Sequence, residues 1–252
     1  MTSDPATSTK VGHSAGQQNA SPNPAAAWLV GLLQAGDSFY PTGSYAHSFG
    51  LEGLVQEGVV RDRASLREFL VRSVLPSLRH VELPLAAHAW MAFGAADWEG
   101  IRDLGFLASA LKAPQELRIA SANIGRQRAE LIARLRPTSL AASYLTRAAE
   151  ENWPHSAPVS AGLEGQVLGA PRVGVLAGVY YSNVAALLSA AMKVLRLGQN
   201  ASQSLLTEML ALAPEAISAA EKIPVSDIGW FNPWLDIASA RHESSDARMF
   251  IS

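Results

Sequence analysis

Cysteine is absent from this 252-residue chain. Its absence excludes disulfides, Cys-ligated zinc and thiol nucleophiles together. An excess of basic charge is also missing: Lys and Arg number 20 against 22 Asp and Glu, a formal net charge of −2. Without a basic footprint to follow a phosphate backbone, nucleic acid is not an expected partner. No run alternates polar and apolar residues as a half-buried strand would. Gly36 to Gly43 has the glycine spacing of a phosphate-binding loop but lacks the Lys and Ser/Thr that must follow it. The chain is therefore not expected to hydrolyse nucleotide itself. Of the histidines His13, His47, His80, His88, His155 and His242, no two lie three or four apart and none sits in an H-E-x-x-H frame. No metal site and no bound cofactor are expected.

What is present is mostly helical pattern. Residues 1–24 are rich in Ser, Thr, Ala, Pro, Gly and Gln, with no apolar run to serve as a signal-peptide core. They read as a disordered leader, because they cannot bury enough surface to offset ordering entropy. Residues 25–242 read as one all-helical domain, and residues 243–252 as a partner-binding C-terminal tail. Helices are expected over 25–35, 45–56, 97–110, 115–135, 139–150, 157–169, 171–197, 200–220 and 233–242. Ser65 and Glu68 suggest a capping box ahead of the apolar series Leu66, Phe69, Leu70, Val74 and Leu78. Pro76 and Pro84 predict kinks or short breaks before that helix resumes to residue 93. Gly198 is expected to end the helix that begins at Pro171.

That long helix holds a charge-free stretch from Val173 to Met192, about 20 residues and long enough to span a bilayer. Gly174, Gly178, Tyr180, Tyr181, Ser182, Asn183 and Ser189 interrupt it, and small residues so placed suit close packing at the centre of a large bundle. The expected architecture is a multi-helix orthogonal bundle around this central apolar helix, with no membrane association and a cytoplasmic location.

The segment Leu32 to Glu52, LLQAGDSFYPTGSYAHSFGLE, carries the densest chemistry. Asp37, Ser38, Pro41, Thr42, Gly43 and Ser44 are breakers and turn formers, so the stretch reads as a loop between packed elements, where binding groups are often placed. A serine hydrolase using Asp37, Ser38 and His47 is the enzymatic alternative, although that chemistry places its serine at a strand end and the preceding residues look helical. Trp230, Phe231 and Trp234 cluster around Gly229 and Pro233 without helical period; such groups pack against a core or anchor an interface. Arg248, Met249, Phe250 and Ile251 form an apolar tip behind a polar spacer, a pattern suited to ordering on a partner.

Leu32, Leu33, Gln34, Asp37, Ser38, Pro41, Gly43, His47, Ser48, Gly50, Leu51 and Glu52 fall in register on LLQ-x-x-D-S-x-x-P-x-G-x-x-x-H-S-x-G-L-E, and this segment resembles the N-terminal signature of the UreF family of urease accessory proteins. Glu116, Arg118, Ser121, Gly125 and Arg126 resemble the family's E-x-R-x-x-S-x-x-x-G-R helix. His155, Pro158, Val159 and Gly162 resemble its H-x-P-V-x-x-G stretch, and the tail resembles its R-L-F-x-S ending. Tyr45 and Ile251 depart from the usual residues. The resemblance implies a non-catalytic maturation chaperone that dimerises, binds UreD (also called UreH), recruits the GTPase UreG and docks on the urease apoprotein. It implies GTP-dependent nickel insertion by the assembly, nickel being handled by the complex. It also implies partner-binding roles for Tyr45, His47, Ser48, Glu52, Arg248 and Phe250, with Glu116, Arg118 and Arg126 as further candidates.

Overall fold

Helix α10 (Arg172–Val194) explains the architecture, because a helix apolar nearly all round must be covered. A computed structural model describes residues 24–43, 48 and 50–232. Among these residues there is no strand; the fold is all-α, as the pattern predicts. Ahead of α10 come α1 (Pro24–Ala35), α2 (Leu51–Gln56), α3 (Arg63–Phe69), α4 (Leu75–Ser77), α5 (Leu83–Ala95), α6 (Trp98–Ala110), α7 (Gln115–Leu135), α8 (Ser139–Glu150) and α9 (Ala157–Leu168). After it come α11 (Gln199–Leu210), α12 (Ala213–Ala220) and a 3-10 turn, Val225–Asp227. The expected 233–242 helix, Trp234, the leader and the C-terminal tail lie outside the described residues.

Helix α10 is long and apolar enough to cross a membrane by length and composition alone. Here it packs on α1, α2, α5, α9, α11 and α12. Tyr180, Val184, Leu187 and Ala191 are buried against Leu51, Leu66, Leu70, Leu205 and Met209 in the larger core. Each fully buried leucine contributes roughly 2 kcal/mol of transfer free energy. The Tyr180 hydroxyl meets the Met209 carbonyl at 2.6 Å, so its polar end is satisfied inside this core. A second core gathers Phe93, Ile101, Ile132, Tyr144, Trp153 and Leu163 from α5 to α9. Helix α5 contributes to both.

Local signals and structure part at four places. The N-cap of α3 is Asp62, not Ser65: the Asp62 carboxylate accepts the Ser65 N–H at 2.8 Å, and the Ser65 hydroxyl accepts the Asp62 N–H at 3.1 Å. Glu68 instead pairs with Arg72 one turn on. The prolines do not break the chain of helix from α3 to α5. Two π-helical turns, Leu70–Val74 and Leu78–Glu82, precede them, and the N–H groups of Leu75 and Leu83 reach back five residues to Leu70 and Leu78. The wider turn moves aside the carbonyl that a proline ring would strike. Helix α10 stops at Val194, and Gly198 becomes the N-cap of α11. Leu195 and Leu197 turn onto the larger core instead. The expected helix over 200–220 is two helices, because Pro214, lacking an N–H, opens α12 in its first turn.

Candidate functional site

The Leu32–Glu52 segment is held to the bundle by a buried polar anchor. Helix α1 ends at Ala35, and the Asp37 carboxylate then accepts the Phe39 N–H at 2.8 Å while the Asp37 carbonyl accepts the Tyr40 N–H at 3.0 Å. This side-chain turn aims Tyr40 inward. The Tyr40 hydroxyl donates to Glu164 Oε1 at 2.5 Å, and Arg128 NH1 donates to Glu164 Oε2 at 2.5 Å. Glu164 is the one charge on α9, and its side chain is only 3 % exposed, against 13 % for Arg128. Burial, reinforced by the adjacent carboxylate, pushes the Tyr40 hydroxyl well above the ordinary phenol range, so it stays a donor. The turn of residues 37–43 is thus tied to α7 and α9 at once.

Beyond it, Gly50 takes a left-handed conformation (φ 82°) to launch α2. Ser48 is fully buried, its hydroxyl 3.4 Å from the Glu52 N–H, and Glu52 is buried on the first turn. Both side chains build the interior of the turn. Tyr45 and His47, expected to be partner-facing, lie outside the described residues, as do Arg248 and Phe250. Ser38 is exposed, its hydroxyl 3.5 Å from the Asp37 carboxylate, which is already engaged by the Phe39 N–H. The segment before it is the helix α1, and this geometry gives the hydrolase alternative no support.

The two other motif stretches meet each other. Helix α7 brings Glu116, Arg118, Ser121, Gly125 and Arg126; the loop before α9 and its first turns bring His155, Pro158, Val159 and Gly162. The Ser121 hydroxyl accepts the Ala157 N–H at 3.2 Å. A Cβ on Gly125 would stand 2.4 to 2.7 Å from the Ser156 backbone, so only glycine allows this crossing. On the other face of α9, a Cβ on Gly162 would meet the Trp90 nitrogen of α5 at 2.7 Å. Arg118 NH1 donates to the carbonyls of Lys112 and Ala113 at 2.7 and 2.9 Å, fastening the α6–α7 connection. Arg126 is half exposed, 3.9 Å from Glu130. His155 Nδ1 lies 3.0 Å from the Tyr144 hydroxyl, and burial lowers its pKa. Burial pushes Tyr144 up to about 12.

Two features escaped the motif reading. The outer face of α1 and the turn after it expose Leu29, Val30, Leu33 and Phe39, the last at 91 %. Behind α1 opens a largely apolar groove of about 160 Å³, lined in part by Leu32, Gly178 and Leu187, with Arg128 and Glu164 also on its wall. His80 stacks on Trp230 at 5.5 Å, with the Gly229 N–H donating to the His80 carbonyl, so Trp230 packs while Phe231 projects outward. His88 Nε2 lies 2.9 Å from the Ile223 carbonyl. Among the described residues no three acidic or histidine side chains come together as a metal site.

Fold and site together define an all-helical bundle protein whose motif residues build a buried turn and a tight helix crossing beside exposed apolar side chains. Known sequences narrow that class. The UreF family model matches residues 60–210. Urease accessory protein UreF of Dechloromonas aromatica (strain RCB) is 34 % identical over 228 residues, covering 89 % of this chain and 97 % of that protein. Its counterpart in Paenarthrobacter aurescens (strain TC1) is 31 % identical over 232 residues, covering 90 % and 99 %, and that of Bacillus sp. (strain TB-90) 29 % over 225 residues, covering 89 % and 99 %. The chain belongs to the UreF family.

Proposed function

We propose that this protein is a non-catalytic adaptor in urease maturation, working in the cytoplasm. In this reading it dimerises, binds UreD/UreH, recruits the GTPase UreG to the urease apoprotein and supports GTP-dependent insertion of nickel, which is cargo of the assembly. The observation that carries the reading is the match to urease accessory proteins over nearly the whole chain. The site geometry supports it, since motif residues are spent on shaping surfaces and not on a nucleophile with its base. An adaptor that couples nucleotide state to metal release must bind two states of the GTPase with different affinity.

Tyr45 and His47, next in sequence to the turn anchored by Tyr40, Glu164 and Arg128, are assigned to partner contact, with Ser48 and Glu52 of the same motif supporting it. Arg126, Glu116 and Arg118 on α7 are further assignments to partner contact. Arg248 and Phe250 are assigned to the UreD contact. The test is co-purification of the full chain with UreD, UreG and apo-urease from the same source, with sizing of the complex. A ternary complex is expected, and deletion of Arg248 to Ser252 should weaken UreD binding while circular dichroism stays unchanged. No association under any nucleotide or nickel condition overturns the adaptor reading.

A further inference from the structure

A second cavity, of about 170 Å³, lies where the end of α6, the first half of α7 and the start of α9 converge. Ser109, Lys112, Arg118, Ser121, His155 and Ser156 supply its polar lining, and no acidic side chain contributes. Ser156 is the N-cap residue of α9, yet its hydroxyl makes no capping bond. Ser156 is 2 % exposed, and among the described residues its hydroxyl has no hydrogen-bond partner. A buried hydroxyl left unpaired is costly unless something meets it. The α9 N-terminus carries the positive end of the helix dipole; there the Ala157 N–H donates to Ser121, the Ser160 N–H donates to the Ser156 carbonyl and Pro158 has no N–H, so the terminus offers the cavity its dipole.

The charge balance points the same way. Lys112 is paired with Glu82. Arg118 is held at the wall through NH1 alone, bonded to two carbonyls, and its fork retains further donors. Its positive charge has no carboxylate in the lining to meet it. His155, kept neutral by burial, engages Tyr144 through Nδ1, which leaves Nε2 as its second polar atom.

We propose that this cavity is a binding site for a tetrahedral oxyanion of the phosphate class, received by the Arg118 guanidinium, the unpaired Ser156 hydroxyl and the α9 N-terminus. A guanidinium and a helix N-terminus are each recurrent binders of oxyanions, and both line this cavity. The phosphate can come from solution or from a nucleotide, and the cavity volume fits the phosphate group itself. The site does not depend on the partner assignments above.

The test is titration of the full chain with inorganic phosphate, read by calorimetry and by the rise in Tm that a ligand of the folded state must cause. Saturable binding is expected. Ser156→Ala, which removes a hydroxyl that bonds nothing in the protein, should weaken it about threefold or more with the unliganded Tm retained, and Arg118→Gln about tenfold or more. Arg134→Gln, exposed further along α7, should leave it unchanged. A parallel titration with GDP separates the sources: tighter binding than phosphate assigns a nucleotide's phosphate, weaker binding a free ion. No saturable binding overturns the proposal. So does equal loss at Arg134→Gln and Arg118→Gln, which would mean an adventitious ion only. Because Arg118 also fastens the α6–α7 connection, Ser156→Ala decides the matter if Arg118→Gln does not fold.

Discussion

The Tyr40 hydroxyl donates to Glu164 across 124 residues of sequence, at 2.5 Å and out of contact with water. Arg128 holds the other oxygen of the same carboxylate. Breaking such a pair from one side leaves a charge buried without a partner, which is far more costly than the pair is stabilising. Glu164→Ala should therefore destabilise the protein by about 3–5 kcal/mol. Tyr40→Phe, which removes one hydrogen bond to a charged group, should cost about 1.5–3 kcal/mol. In urea denaturation the two losses should not add, because the second change acts on an anchor already cut. Fully additive losses would show that Tyr40 and Glu164 are not coupled, and that the turn of residues 37–43 is held by something else.

The crossing of α7 over the start of α9 makes a sharper claim about two glycines. Gly125 lies against the Ser156 backbone, so a methyl group there must push two helices apart. Gly178 on α10 has nothing within 4 Å of where its Cβ would stand. Gly125→Ala should cost about 1–3 kcal/mol or more by overpacking. Gly178→Ala should be neutral or stabilising by up to about 1 kcal/mol, since alanine is the better helix former. Equal midpoints for the two variants in chemical denaturation would refute the close approach.

Local signals were readable wherever one side chain decides the outcome. Asp97 caps α6 through the Gly100 N–H and Pro114 precedes α7, at the starts expected for the helices over 97–110 and 115–135. Long-range pairings were not readable. Nothing near Glu164 names Tyr40 or Arg128 as its partner; the only hint is a lone charge in a helix of small and apolar residues. Burial of Ser48 and Glu52 was hidden for the same reason, because motif register says that a residue matters and not which way it points. The π-helical turns are a case of tertiary context overriding a correct local rule: Leu70, Val74, Leu78 and Leu83 gain more by staying on one buried face than the chain would by breaking at its prolines.

The start of α3 offers a test by pH. Two local patterns compete there, Asp62 with Ser65 and Ser65 with Glu68, and the structure selects the first. Hydrogen bonds from the Ser65 backbone and side chain hold the Asp62 carboxyl below its usual range. A carboxyl whose folded pKa is depressed adds stability that is fully present above its unfolded value, near 3.8. That contribution is lost as pH falls through the lower folded value, where the cap becomes protonated. Asp62→Ala should therefore be less stable than the parent protein at neutral pH, and the gap should close as pH drops below about 4. Glu68→Ala, which removes only an exposed pair with Arg72 one turn on, should cost less than Asp62→Ala at neutral pH. Measuring Tm for both variants between neutral and acid pH decides between the two caps. A gap that closes for Glu68→Ala and persists for Asp62→Ala would return the N-cap to Ser65.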